Sequence, residues 1–320
     1  MKKTKKPLTI AFAIFLISAL IAGCSGNSKP SSEGGSSSDS FTIGFANIND
    51  LYPYCVKVRD YIKEFAAAEG IDVQVANAAG DVNMQNDQVD NFIVKKVNMI
   101  ASISGDLDGS VTAVENAKRA NIPYVSLLTH VNSDDYVYVG SENKQAGYVQ
   151  GEFLAEKLPE NAKVLYLTGQ TNDQQYIDRK AGLTESLFDK RKDVQLLAEI
   201  SSDNQKDKGM TITEDWIQAY EQFDAIVAQN DESALGAIEA LKAANRLDGV
   251  IVIGIDGSDE ALSSIEAGEM TMTVFQDARS QAQAIVDLAK QLRDGADPAS
   301  IENINIPFKA ISKDNLDEAK

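Results

Sequence analysis

Residues 223–246 read FDAIVAQNDESALGAIEALKAANR, and the change of period inside this stretch decides the fold. The run FDAIVAQ has the length and apolar density of a buried strand. In ESALGAIEALKAAN the period turns helical. Ala234, Ala237, Ile238 and Leu241 recur at i, i+3, i+4 and i+7, on one face. A strand that runs straight into an amphipathic helix is half of a βαβ unit, the usual way to join parallel strands.

The same alternation extends in both directions. FTIGFA, IDVQVA, MIASIS, IPYVSLL, YVYVG, AKVLYLTG, VQLLAEI, VIVIGID and MTMTVF also read as strands. Between most of them lie helical segments such as VKVRDYIKEFAAAEG, DQVDNFIVKKV and TAVENAKRAN, the first closed by Gly70 as a C-cap. Repeated βα alternation predicts an α/β protein with parallel sheets covered by helices on both faces. Ten strands exceed one doubly wound unit of ordinary size, so two sheets with a cleft between them are expected. Ligands bind beyond the carboxyl ends of such strands.

The first forty residues have a different character. Lysines 2, 3, 5 and 6 precede an apolar run from Leu8 to Ala22, which is short for a membrane span. A basic segment, a short apolar segment and small residues describe an export signal. Ile21, Ala22, Gly23 and Cys24 resemble the lipobox of bacterial lipoproteins. That resemblance implies cleavage after residue 23, lipid on Cys24 and anchoring to the outer face of the cytoplasmic membrane. Residues 24–40, rich in Ser and Gly, read as a solvated tether. Loss of the four lysines takes the net charge from −18 to −22. So acidic a body has no broad attraction for nucleic acid, and anionic lipid repels it. Attachment to the membrane then falls to the lipid. Cys55 is the other cysteine and reads as a small buried hydrophobe.

Groups suited to polar ligands recur at the strand ends. NINDLYPYC (47–55) supplies Asp50, Tyr52 and Tyr54, and QTNDQQYIDR (170–179) supplies Asp173, Gln175 and Arg179. Asn230 and Asp231, Asp256, and Gln276 follow the later strands. Carboxylates, amides and guanidinium groups hydrogen-bond vicinal hydroxyls in pairs, and a tyrosine ring can cover a sugar's C–H face. Asp231 also reads as the cap of the helix after it, and Asp256–Gly257 as a turn. Repetition at strand after strand favours binding. The sole histidine, His130, has no partners at metal-ligand spacing, and no GxSxG, P-loop, GxGxxG or calcium-loop run occurs. No cofactor or metal is expected. An enzyme reading needs Asp50 and Asp173 as paired carboxylates of a glycan hydrolase.

Four segments resemble the periplasmic sugar-binding proteins of ABC transporters, in the ribose and galactose/glucose branch. They are NMQNDQVDNFIVKKVNMIA (83–101), YVGSENKQAGYVQGEFLA (138–155), VAQNDESALGAIEALKAANR (227–246) and VIGIDGSDEALSSIEAGEMTMTVFQDARSQA (252–282). The resemblance implies a two-lobed type I fold, each lobe a doubly wound parallel sheet flanked by helices, with three hinge crossings. One lobe is expected at 41–141 plus 277–308 and the other at 142–276 plus 309–320. Asn230, Asp256 and Gln276 match positions that hold sugar hydroxyls, and Arg179 matches the arginine of the galactose branch. Tyr54 matches an aromatic that stacks on the sugar, Tyr52 a polar contact beside it, and Ser104 a contact after the third strand. Asp173 and Gln175 stand where the galactose branch has a histidine and an aspartate.

Two departures matter. The second stacking aromatic aligns with Asn204, which leaves a one-sided ring contact unless another ring, such as Tyr176, moves in. The family's calcium loop is missing, because PENAKV (159–164) is too short to hold it. The implied function is capture of a monosaccharide or related polyol by a monomeric lipoprotein, with delivery to an ABC permease and its ATPase. The extra amide suits a more polar polyol such as an inositol. Docking on a chemoreceptor or sensor kinase is the alternative role for the same fold. A DNA-binding regulator is excluded by the export signal and the acidic charge.

Overall fold

The computed structural model describes residues 40–170 and 174–319. The expected export signal, Cys24, nearly all of the expected tether and Asp173 lie outside the described residues. No helix among the described residues is long and apolar enough to cross a membrane.

Ten strands lie where alternation predicts them. The first sheet takes β1 (Thr42–Asn47), β2 (Asp72–Asn77), β3 (Met99–Ile103), β4 (Tyr124–Leu127) and β5 (Val137–Gly140). The second takes β6 (Lys163–Thr168), β7 (Gln195–Ser201), β8 (Ala225–Ala228), β9 (Ile251–Asp256) and β10 (Met272–Phe275). Two further strands were not legible in the sequence: β11 (Ile304–Asn305) and β12 (Lys309–Ser312). Both are edge strands too short to carry a period. β11 pairs parallel to β5, and β12 pairs antiparallel to β10. Every other pairing is parallel.

The sheet orders are β11-β5-β4-β3-β1-β2 and β12-β10-β9-β8-β6-β7. In each, the earliest strand sits between its two successors, so the crossovers leave in opposite directions. A crevice opens at the carboxyl ends between β1 and β3, and another between β6 and β8. The chain passes between the sheets after β5, after β10, and between β11 and β12.

Helices cover both faces of each sheet. On the first, α1 (Pro53–Ala68) packs with α9 (Ala278–Arg293), and α2 (Val82–Val94) packs with α3 (Val111–Arg119). On the second, α4 (Asn143–Lys157) lies against α5 (Gln174–Leu183), and α6 (Lys206–Ala219) lies against α7 (Asp231–Ala243), with α8 (Asp259–Ala267) beside α7. The α4–α5 approach demands glycine. A Cβ on Gly147 would sit 1.8 Å from the Arg179 carbonyl oxygen. That contact sets where α5, and therefore Arg179, lies over the sheet.

The predicted inward face of α7 is buried, including Ala234, Ala237, Ile238 and Leu241. Gly70 follows α1 with φ 66°, the left-handed turn expected of it. Cys55 is buried in the core, and burial pushes its thiol up to about 12, as befits an inert hydrophobe.

Candidate functional site

The two crevices open into one cleft of about 1220 Å³. Tyr52, Tyr54 and Ser104 line it from the first sheet's elements. Gln175, Arg179, Asn204, Asn230, Asp256 and Gln276 line it from the second's. Residues from seven strand ends thus meet because parallel strands deliver all their carboxyl ends to one edge.

On the first wall, Tyr54 sits in the first turn of α1. Its hydroxyl donates to Gln281 Oε1 at 2.6 Å, and Gln281 Nε2 donates to Ser141 Oγ at 3.2 Å. Gln281 is fully buried on α9, and Ser141 lies at the first crossing between sheets. The Tyr54 ring is therefore tied, through Gln281 of α9, to the segment that leaves β5. Burial, then Asp256 and Asp277, hold its phenol well above the usual range, so it stays a neutral donor. Ser104 is buried, with its backbone N–H donating to Thr129 Oγ1 at 3.0 Å.

Asp50 lines the cleft but is committed elsewhere. It pairs with Arg59 at 2.9 Å and accepts from Asn47 Nδ2 at 2.5 Å. With Asp50 so engaged, a two-carboxylate hydrolytic pair has no support from this wall.

Arg179 is buried on α5. Its Nε donates to Asn143 Oδ1 at 3.0 Å and its Nη1 to the Gln229 carbonyl at 2.5 Å. It therefore knits α5, α4 and the end of β8 together, beyond any ligand it meets. Asp256 closes β9 with φ 125°, a strained conformation for a residue with a side chain. Its carboxyl is pushed well above the usual range by burial and by Asp231, with Arg179 opposing.

The helix cap is Asn230 and not Asp231. Asn230 Oδ1 accepts from the Ser233 N–H at 3.1 Å, and its Nδ2 donates to the Asn204 carbonyl at 3.1 Å. The fully buried Asp231 instead reaches under the cleft floor. It accepts from the Ser258 N–H and from Thr273 Oγ1, each at 2.7 Å. Burial raises its carboxyl from 3.8 to about 7. This carboxyl holds its proton more tightly folded than unfolded. Its contribution to stability is complete below about pH 4 and is lost as pH rises towards 7. Asp231→Asn is expected to flatten that decline in Tm, read by thermal unfolding at pH 4 to 7. Parallel declines in the two proteins would assign the proton to another group.

Asn204 has φ 59°, a left-handed backbone that asparagine tolerates. Tyr176 does not compensate for the missing ring there. Its hydroxyl bonds Glu199 and Lys180, and it is not among the cleft-lining residues. Gln276 is buried, and its side-chain amide has no hydrogen bond among the described residues. Its groups are available to a ligand.

Sequence reasoning missed Phe275 and His130 as lining residues. His130 stacks on Tyr138 with ring centroids 4.0 Å apart. Phe275 is the last residue of the MTMTVF strand, directly before Gln276, and an apolar residue there carries no signal that separates it from the core. Across the cleft mouth Lys57 of α1 pairs with Asp259 of α8 at 2.8 Å, an exposed pair of little strength.

The model of a periplasmic binding protein domain matches residues 43–297. A Rhizobium meliloti protein, provisionally named rhizopine-binding, is 34% identical over 82% of this chain and 85% of its own length. The ribose import binding protein of Bacillus subtilis is 29% identical over 89% of this chain and 90% of its own. An ABC transporter solute binding protein from Bacillus halodurans, solved with bound myo-inositol, is 31% identical. It superposes with a TM-score of 0.81, covering 87% of this chain and 96% of its own.

Proposed function

We propose that this chain, which belongs to the periplasmic binding protein family, takes a cyclic polyol of the inositol class into its cleft. It works as a solute-binding protein of an ABC importer, outside the cytoplasm, and catalyses no reaction. The observation that carries the ligand class is the lining itself. Amides at Gln175, Asn204, Asn230 and Gln276 line the same cleft as Asp256, Arg179 and the ring of Tyr54. A polyhydroxylated ring offers paired donors and acceptors to such groups, and its C–H face suits an aromatic. The myo-inositol bound by the 31% identical Bacillus halodurans protein supports the same class.

Further parts of the reading rest on sequence. Residues 41–141 with 277–308, and 142–276 with 309–320, move as two lobes that close over the ligand at the three crossings. Lipid on Cys24 holds the monomeric protein to the outer face of the cytoplasmic membrane. Asp173 joins the ligand contacts.

Thermal unfolding of the purified protein against pentoses, hexoses and inositols tests the ligand class. At about 1,000 times Kd, binding to the native state adds roughly 4 kcal/mol, which raises Tm by several degrees. A shift selective for inositols is expected. A shift confined to pentoses or hexoses, or none, would refute the inositol class.

A further inference from the structure

One large apolar side chain in the cleft lies outside the apolar core. Phe275 ends β10 in register with Asp256 and directly precedes Gln276. It is only partly buried and belongs to none of the four apolar clusters of the core, even as a peripheral member. It lines the cleft, and it is the one phenylalanine, tyrosine or tryptophan among the described lining residues of the second sheet's elements. Space for it is made by Gly257, at φ 74°, where a Cβ would lie 2.2 Å from Phe275 Cδ2. A half-exposed ring beside two polar side chains costs solubility and gains no core contact unless something apolar covers it.

We infer that Phe275 is the ring by which the second lobe grips the ligand, supplying from β10 the face that Asn204 cannot. This rests on the polyol reading above. Tyr54 is the counterpart on the first wall, and the Asp256 and Gln276 side chains beside Phe275 take the hydroxyls at the ring's edge. A ligand with a continuous C–H face, a cyclic polyol, gains from both rings, whereas a flexible acyclic polyol presents no such face. Phe275 would thus select cyclic over acyclic ligands.

The test is calorimetric titration of the full chain in detergent with myo-inositol and with xylitol, in Phe275→Leu and Phe275→Tyr. The leucine keeps apolar bulk and loses the ring, and the tyrosine keeps the ring. Phe275→Leu is expected to weaken myo-inositol binding at least tenfold while changing xylitol binding by less than threefold. Phe275→Tyr should stay within threefold of wild type for both, with the ligand-free Tm of each variant unchanged. Equal loss of both ligands in Phe275→Leu, or a loss matched by a lowered ligand-free Tm, would make the ring a packing residue and overturn the inference. Wild-type affinity in Phe275→Leu would overturn it while leaving the polyol reading intact. A wild-type protein that binds neither polyol would refute the reading itself, and the inference with it.

Discussion

Asp256→Ala is expected to weaken ligand binding about ten- to a hundredfold. Leaving a buried hydrogen-bond partner unsatisfied costs about 1–3 kcal/mol, and tenfold in Kd is about 1.4 kcal/mol. The same substitution should not lower the ligand-free Tm at pH 7. Burial and Asp231 hold the Asp256 carboxyl well above its ordinary range, so its ionised form opposes folding at neutral pH. Arg179→Ala should lose affinity and stability together, because it orphans Asn143 Oδ1 and the Gln229 carbonyl in a buried site. Each orphaned group costs about 1–3 kcal/mol, a fall of several degrees in Tm. Titration calorimetry and thermal melts of the two variants separate these effects. Unchanged affinity in both would remove the second wall from the binding site.

Cys24→Ser is expected to move the protein from the membrane fraction to the soluble fraction almost completely. With a net charge of −22 if the proposed leader and its four lysines are removed, nothing else draws the body to an anionic surface. Several acyl chains on one residue make a stable anchor, whereas a single chain is marginal. Fractionation of cells carrying each version, with blotting of pellet and supernatant, reads the outcome. A variant that still pellets with membranes would mean that a protein partner or the uncleaved leader holds it there.

The chain's architecture was largely legible because parallel strands buried on both faces are nearly continuous apolar runs. FDAIVAQ and MIASIS carry that signal whatever packs against them. β11 and β12 escaped because two to four residues at a sheet edge hold no period, and their pairing with β5 and β10 is wholly non-local. Much of the candidate site was legible for a related reason. Strand ends converge in this fold, so polar residues there could be assigned to one cleft before any distance was known.

What the residues do inside that cleft was a different matter. Asn230 and Asp231 are adjacent Asx residues, each able to cap a helix. Their division of labour, cap for one and buried acceptor for the other, depends on Thr273 and the Ser258 N–H arriving from other loops. Arg179 read as a ligand contact, and its grip on Asn143 and Gln229 could not be foreseen from spacing.

The sequence alone determined the βα order, the cleft and the polar character of its lining, because those follow from local period and from where parallel strands must end. Tertiary structure decided that Tyr176 is spent on Glu199 and Lys180, that Tyr54 is tethered to Gln281, and that Phe275 lines the cleft beside Gly257. These are contacts between residues tens to hundreds of positions apart, set by helix and strand packing that no local pattern encodes.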